Sequence, residues 1–170
     1  MRVLLLSLLL MGCSTLNPNA YRDQQPTFDL FEFFDGQVTA YGIVQNRAGQ
    51  VIQRFEVDIQ GTVQDNVLTL DEDFVYTLGE GPANRVWTIE RQGEAFSGSA
   101  TDVPGPAIGQ AYGNAFRFRY TMDLPVGDTQ YAVNFDDWFY AMDDRRIFNR
   151  SEIKKFGLTF AEVTIFMQRD

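Results

Sequence analysis

FRFRYTM, residues 116–122, alternates bulky and polar side chains without a break. Successive side chains of an extended strand point to opposite faces, so Phe116, Phe118, Tyr120 and Met122 share one face and Arg117, Arg119 and Thr121 the other. RFEVDIQ, residues 54–60, repeats the pattern, with Phe55, Val57 and Ile59 set against Arg54, Glu56, Asp58 and Gln60. Similar runs occupy 37–45, 67–78, 85–91, 131–142 and 158–168, with a shorter Gly- and Ser-rich piece at 95–101. Gly, Asn, Asp and Pro punctuate them, which gives about eight sequential strands with short links. No helix is long enough for a parallel crossover. The pattern predicts an all-β fold, a single antiparallel up-and-down β-barrel whose closure removes exposed sheet edges. One short helical turn is expected near the C-terminus at Ser151–Lys155, with Ser151 as its cap. Residues 102–115, DVPGPAIGQAYGNA, are rich in Gly and Pro and read as a loop at the barrel mouth.

Outward from the strands, the N-terminus carries an address. Arg2 precedes an apolar run, Val3 to Met11, that ends at Gly12 and Cys13, the only cysteine. This is a signal-peptide layout, and the run is less than half of the ~20 residues a membrane-spanning helix needs. Leu10-Met11-Gly12-Cys13 resembles the bacterial lipobox, in which the Cys sulfur receives diacylglycerol and the chain is cut before it. Residues 1–12 are therefore expected to be a lipoprotein signal peptide, Cys13 the lipidation site, 13–27 a polar, flexible tether and 28–170 the barrel domain. Ser14, where lipoproteins retained at the inner membrane often carry Asp, directs the expected location to the periplasmic face of the outer membrane. The partner implied is the membrane itself, through the lipid.

The chain carries a net charge of −9, which disfavours nucleic acid as a partner. It has no His and no Cys beyond Cys13, so the usual ligands for zinc or haem and the usual catalytic bases and thiols are missing. No cofactor, metal or catalytic residue is expected. LDEDF, residues 70–74, is acidic, but its carboxylates are consecutive and do not match an EF-hand loop. Fifteen Phe, seven Tyr and two Trp supply bulky side chains for one packed core.

Candidate interior or ligand-facing residues are Arg54, Arg85, Arg117, Arg119 and Arg150, because Arg tolerates burial against carboxylates and aromatic faces. Asp73, Asp102 and Asp137 are the candidate partners of Arg117 and Arg119, and Trp87, Asn114 and Trp138 complete the set. The alternative, a solvated surface for the arginines, stays open at this level. Within Asp136-Asp137-Trp138 a strand sends Asp136 and Trp138 one way and Asp137 the other, so the two carboxylates cannot act on one proton.

RFEVDIQGTVQDNVLTLDEDFVYTLGE, RVWTI, ATDVPGPAIGQAYGNAFRFRYTM, FDDWFYAMDD and NRSEIKKFG together resemble a family of small proteobacterial lipoproteins known as a domain of unknown function, number 3833. The resemblance covers nearly all of the chain after residue 12. It implies a calycin barrel, related distantly to lipocalins and fatty-acid-binding proteins, and by gene neighbourhood an association with membrane fatty acids. Phe34-Asp35-Gly36 stands where lipocalins carry Gly-x-Trp, and Phe34 with Arg169 is expected to substitute for their closure of the barrel base.

The functional expectation is a monomeric, outer-membrane-anchored lipoprotein whose barrel binds a fatty acid or other lipid-like molecule, one or two inward arginines meeting its head. A ligand-free envelope interaction module is the alternative. An enzyme of hydratase type on the same scaffold, using a protonated inward carboxyl, is the third.

Overall fold

The computed structural model describes residues 16–126 and 129–170. The chain forms ten strands among these residues: β1 (Gly36–Asn46), β2 (Val51–Gln64), β3 (Val67–Leu78), β4 (Asn84–Gln92), β5 (Ala95–Ala100), β6 (Val103–Tyr112), β7 (Ala115–Val126), β8 (Thr129–Ala141), β9 (Arg146–Lys155) and β10 (Leu158–Arg169). Each pairs antiparallel with its neighbours in sequence, and β10 returns to β1, Ile43 facing Thr164, so the sheet closes. The all-β up-and-down barrel expected from the alternation is the fold.

Two elements differ from the sequence reading. Ser151–Lys155 is strand, not helix: Ser151 lies across from Asp137 on β8 and Val163 on β10, and Ile147, Asn149, Ser151 and Ile153 all face the interior. Ladder pairing on both sides outweighs the weak preference of SEIKK for a helical turn. Residues 103–112, read as part of a loop, are β6. Pro104 and Pro106 are tolerated because the β6–β7 ladder begins only at Ile108, across from Arg119, leaving residues 103–107 without a partner on that side.

The helical residues lie at the other end of the chain. Asp29 caps α1 (Leu30–Phe34), its carboxylate accepting from the N–H groups of Phe31 at 2.9 Å and Glu32 at 3.1 Å. Four of the five α1 residues, Leu30, Phe31, Phe33 and Phe34, are buried, so α1 plugs one end of the barrel. Arg169 at the end of β10 donates to the Glu32 carbonyl at 2.8 Å, tying that plug to the closing strand beside Phe34.

Above the plug the interior is filled with rings. Phe96 and Phe116 meet edge to face at 5.0 Å, and Phe116 touches Phe28, Phe118 and Phe139. Inward positions on the wall are glycine where the end of a ring comes close against it. A Cβ on Gly109 would come within 2.5 Å of Phe116 and one on Gly98 within 2.5 Å of Phe118. Gly42, across from Phe55 on β2, would meet that ring at 2.2 Å.

Leu16–Thr27, within the segment read as a tether, approach the outside of this barrel. A 3-10 turn at Pro18–Tyr21 rests on β6, Tyr21 packs on Trp138 and Tyr140 with ring centres 5.6 Å apart in each pair, and the Phe28 N–H donates to the Gly113 carbonyl at 2.8 Å. Cys13 and the residues read as a signal peptide lie outside the described residues.

Candidate functional site

Midway between the plug and the open end, the aromatic interior is interrupted by a polar layer. Strand alternation builds it. Leu68 and Leu70 face inward on β3, and the same parity brings Glu72 in while Asp71 and Asp73 face solvent. Val133 and Phe135 do the same on β8 and bring in Asp137. Trp87 and Ile89 on β4 fix Arg85, and Phe116 and Phe118 on β7 fix Tyr120.

Asp137 is 7% exposed. Its Oδ2 accepts from the Tyr120 hydroxyl at 3.1 Å. Ser151, across the ladder, hydrogen bonds to Asn149 Oδ1 at 3.2 Å, and Asp137 Oδ1 has no hydrogen-bond partner among the described residues. Burial away from water pushes the Asp137 carboxyl up to about 7, against the lowering effect of the neighbouring Ser151 hydroxyl, which itself bonds to Asn149, and of the Tyr120 hydroxyl that donates to it. Glu72 is likewise pushed up to about 7 by burial, with the charges of Asp102 and Asp137 adding to the rise and Arg85 opposing it. The Tyr120 hydroxyl is raised well above its ordinary value by the same burial and by Asp137.

Arg85 is the cation of the layer. It grips Asp102 in the β5–β6 turn with two nitrogens, Nε at 2.9 Å and Nη2 at 2.7 Å from Oδ2, and stands 4.0 Å from Glu72. Its Nη2 also touches Met122 Sδ at 3.8 Å. Three carboxyls therefore share one guanidinium, and that guanidinium is already engaged. Trp87 packs on Tyr120 at 5.2 Å and on Phe118 at 5.3 Å, and Tyr120 stacks on Phe135 at 5.0 Å, so the layer is walled by aromatic faces.

Of the sequence candidates, Arg85, Trp87, Asp102 and Asp137 meet at this layer. The other four arginines do not. Arg54, Arg119 and Arg150 are exposed, Arg150 paired with Glu162 at 2.6 Å, and Asp73 is exposed on the outer face of β3. Arg117 lies on the outer wall, where it binds Asp136 through Nε at 2.7 Å and Nη2 at 2.8 Å and covers Trp138 at 5.2 Å. None of Asp73, Asp102 or Asp137 partners it. Trp138 also faces outward, buried beneath Tyr21, Tyr112 and Tyr140. Asn114 sits in the β6–β7 turn near the plug, its carbonyl accepting from Ala141 and its Oδ1 buried without a partner. Bulky side chains on one face of β7 choose the interior, so the arginines opposite them must leave it. Glu72, Tyr120, Asn149 and Ser151 are not among the interior candidates read from the sequence, where Ser151 reads as a helix cap and Glu72 as part of the acidic run 70–74. The signal for Glu72 was present: it shares its parity with Leu68, Leu70 and Phe74.

Two surface clefts flank the barrel. One of about 320 Å³ lies between the β1–β2 turn and the start of β10, lined by Asn46, Gly49, Leu158 and Glu162. The other, about 370 Å³, lies beside α1 and is lined by Asp29, Phe31, Arg91 and Arg169. Arg91 pairs with Asp29 and covers the Phe31 ring at 4.3 Å, so the second cleft belongs to the plug.

A closed antiparallel barrel, plugged at one end by an N-terminal helical turn and filled with aromatic side chains, defines a calycin-type, lipocalin-like protein. The chain belongs to the family described as protein of unknown function, DUF3833, whose model matches residues 7–169. No curated protein matches it significantly. Among solved structures the chain is similar to the S-type phycobiliprotein lyase CPES from Guillardia theta, with a TM-score of 0.57 and 12% identity over 82% of this chain and 90% of that one. At that identity the likeness concerns the fold.

Proposed function

We propose that this protein is a lipoprotein of the outer membrane, anchored through Cys13 on the periplasmic face, whose barrel binds a lipid-like apolar molecule rather than catalysing a reaction. The observation that carries the binding reading is the Asp137 carboxyl, buried in an aromatic barrel with one oxygen unpartnered among the described residues. An orphaned buried acceptor is costly, and a ligand donor is one way to offset it. The head that suits this layer differs from the fatty-acid carboxylate expected from the sequence. Arg85 is held by Asp102, and Glu72 and Asp137 add acceptors, so an alcohol, amide or amine head fits where an anionic one is repelled.

Native mass spectrometry of the protein purified from membranes tests the reading. A bound lipid-like mass at one per chain, reduced in Asp137→Leu, supports it. The ligand-free module is favoured by a different observation, the rings packed on Gly42, Gly98 and Gly109. It gains if no mass is retained and no acyl alcohol, acyl amine or fatty-acid probe binds. Labelling of cells with a radioactive fatty acid tests the anchor, since Cys13→Ser should lose the labelled band.

A further inference from the structure

The β9–β10 hairpin at the open end has a composition found nowhere else in the chain. Residues 153–161, IKKFGLTFA, hold both lysines of the protein and no acidic residue, in a molecule of net charge −9. Phe156 at the tip is 89% exposed, Leu158 53% and Phe160 50%. Lys155 is in none of the ion pairs among the described residues. Its ammonium lies 3.7 Å from the centre of the Tyr131 ring and 5.4 Å from that of Phe156.

The turn is also built against local preference. Phe156 and Gly157 take φ of 52° and 75°, both left-handed. A two-residue hairpin turn of this kind favours Asn or Asp before Gly, because a bulky side chain is strained there. The β2–β3 turn follows that preference, with Asp65 at φ 55°. Phe156 accepts the strained backbone and near-full exposure of its ring, and among the described residues only the Lys155 ammonium approaches that ring.

We propose that this hairpin tip inserts into the headgroup region of a lipid bilayer, Phe156 and Leu158 entering the acyl boundary and Lys155 meeting lipid phosphates. Aromatic and aliphatic side chains beside lysine are the side-chain chemistry of interfacial membrane contact. The charge argument rests on Lys155, since Lys154 is paired with Glu152 and Asp136; a single ammonium beside three exposed apolar side chains suits phosphates at the edge of an apolar layer better than an acidic protein surface. The tip lies at the same end as the β5–β6 turn that carries Asp102, so contact there brings the bilayer to the end of the barrel nearer the polar layer.

The full chain carrying Phe156→Trp, bound to vesicles of phosphatidylethanolamine and phosphatidylglycerol with brominated acyl chains, tests this. The added emission should shift to the blue and fall at least twofold relative to vesicles without bromine. Lys155→Glu in the same background should restore at least half of the lost emission. The buried Trp87 and Trp138 of the unsubstituted chain give the baseline. Emission at position 156 that stays unshifted and unquenched while the chain floats with the vesicles overturns the proposal and points to a protein partner. Quenching that survives Lys155→Glu unchanged overturns the role given to the lysine. Neither outcome depends on whether the barrel holds a ligand.

Discussion

The Arg117–Asp136 pair and Arg119 differ in environment although two positions on one strand separate them. Arg117 is bidentate, a quarter exposed and stacked over a buried Trp, whereas Arg119 is exposed and makes no ion pair among the described residues. Arg117→Ala should destabilise the fold by ~1–2 kcal/mol and change the emission of Trp138; Arg119→Ala should stay within ~0.5 kcal/mol. Chemical denaturation followed by fluorescence reads both. Equal losses would mean that the guanidinium on Trp138 adds nothing. The sequence told the two faces of this strand apart but not which was inner. A filled barrel takes the face with the greater apolar volume, and that rule assigns Phe116, Phe118 and Tyr120 to the inside and both arginines to the outside.

At the scale of elements, the alternation in β2, β7 and β10 was legible because one face of each is aromatic or aliphatic throughout. β6 and β9 were not. In β6 the inward positions after Val103 are small, Ala107, Gly109 and Ala111, and the rings of Phe116 and Phe118 fill the space at Gly109, so the hydrophobic signal of the strand sits in its neighbours. In β9 the inward residues include Asn149 and Ser151, whose partners come from across the ladder and from each other. These glycines make a test. Gly109→Ala places a methyl group against Phe116 and Phe96, which are held on all sides, and should cost ~2–3 kcal/mol by overpacking. Gly93→Ala meets no atom within 4 Å but sits at φ 65°, so its smaller cost of ~1 kcal/mol is backbone strain alone. Thermal melts of the two variants separate packing from conformation. A Gly109→Ala protein no less stable than Gly93→Ala would show that the rings can yield.

For the whole molecule, the two buried carboxyls set a dependence on pH. Asp137 and Glu72 are both raised from ordinary carboxylate values to about 7. Between roughly pH 4 and 7 the unfolded chain has released these protons and the folded chain has kept them, so the folded state binds more protons and stability falls as pH rises. Below pH 4 both states are protonated and these two groups contribute no slope. The melting temperature should therefore decline from pH 5 to pH 8, and Asp137→Asn should remove on the order of 2 kcal/mol of that decline. A variant whose decline matches that of the unsubstituted chain would place the titration elsewhere. Below pH 7 the protonated carboxyls can donate and favour a ligand that accepts, whereas above pH 7 the ionised pair favours a donating or cationic one.

The N-terminal segment on the outer wall limits how the molecule can sit. Tyr21 is held near the plugged end by Trp138 and Tyr140, and Arg22 lies over Tyr112. The eight residues back to Cys13 reach at most ~28 Å even fully extended, and Pro18–Tyr21 are already wound. A twelve-residue strand such as β10 runs ~40 Å. If the acyl chains proposed at Cys13 anchor the chain, a barrel standing on its plugged end would hold its hairpin tip clear of the bilayer. A strand tilt of ~40° makes the barrel ~30 Å tall, near the limit of the extended leash, so with the leash relaxed both touch one leaflet only when the barrel reclines, its axis close to the membrane plane. A layer of this protein on a supported bilayer would then be as thick as the barrel is wide, not as thick as it is long.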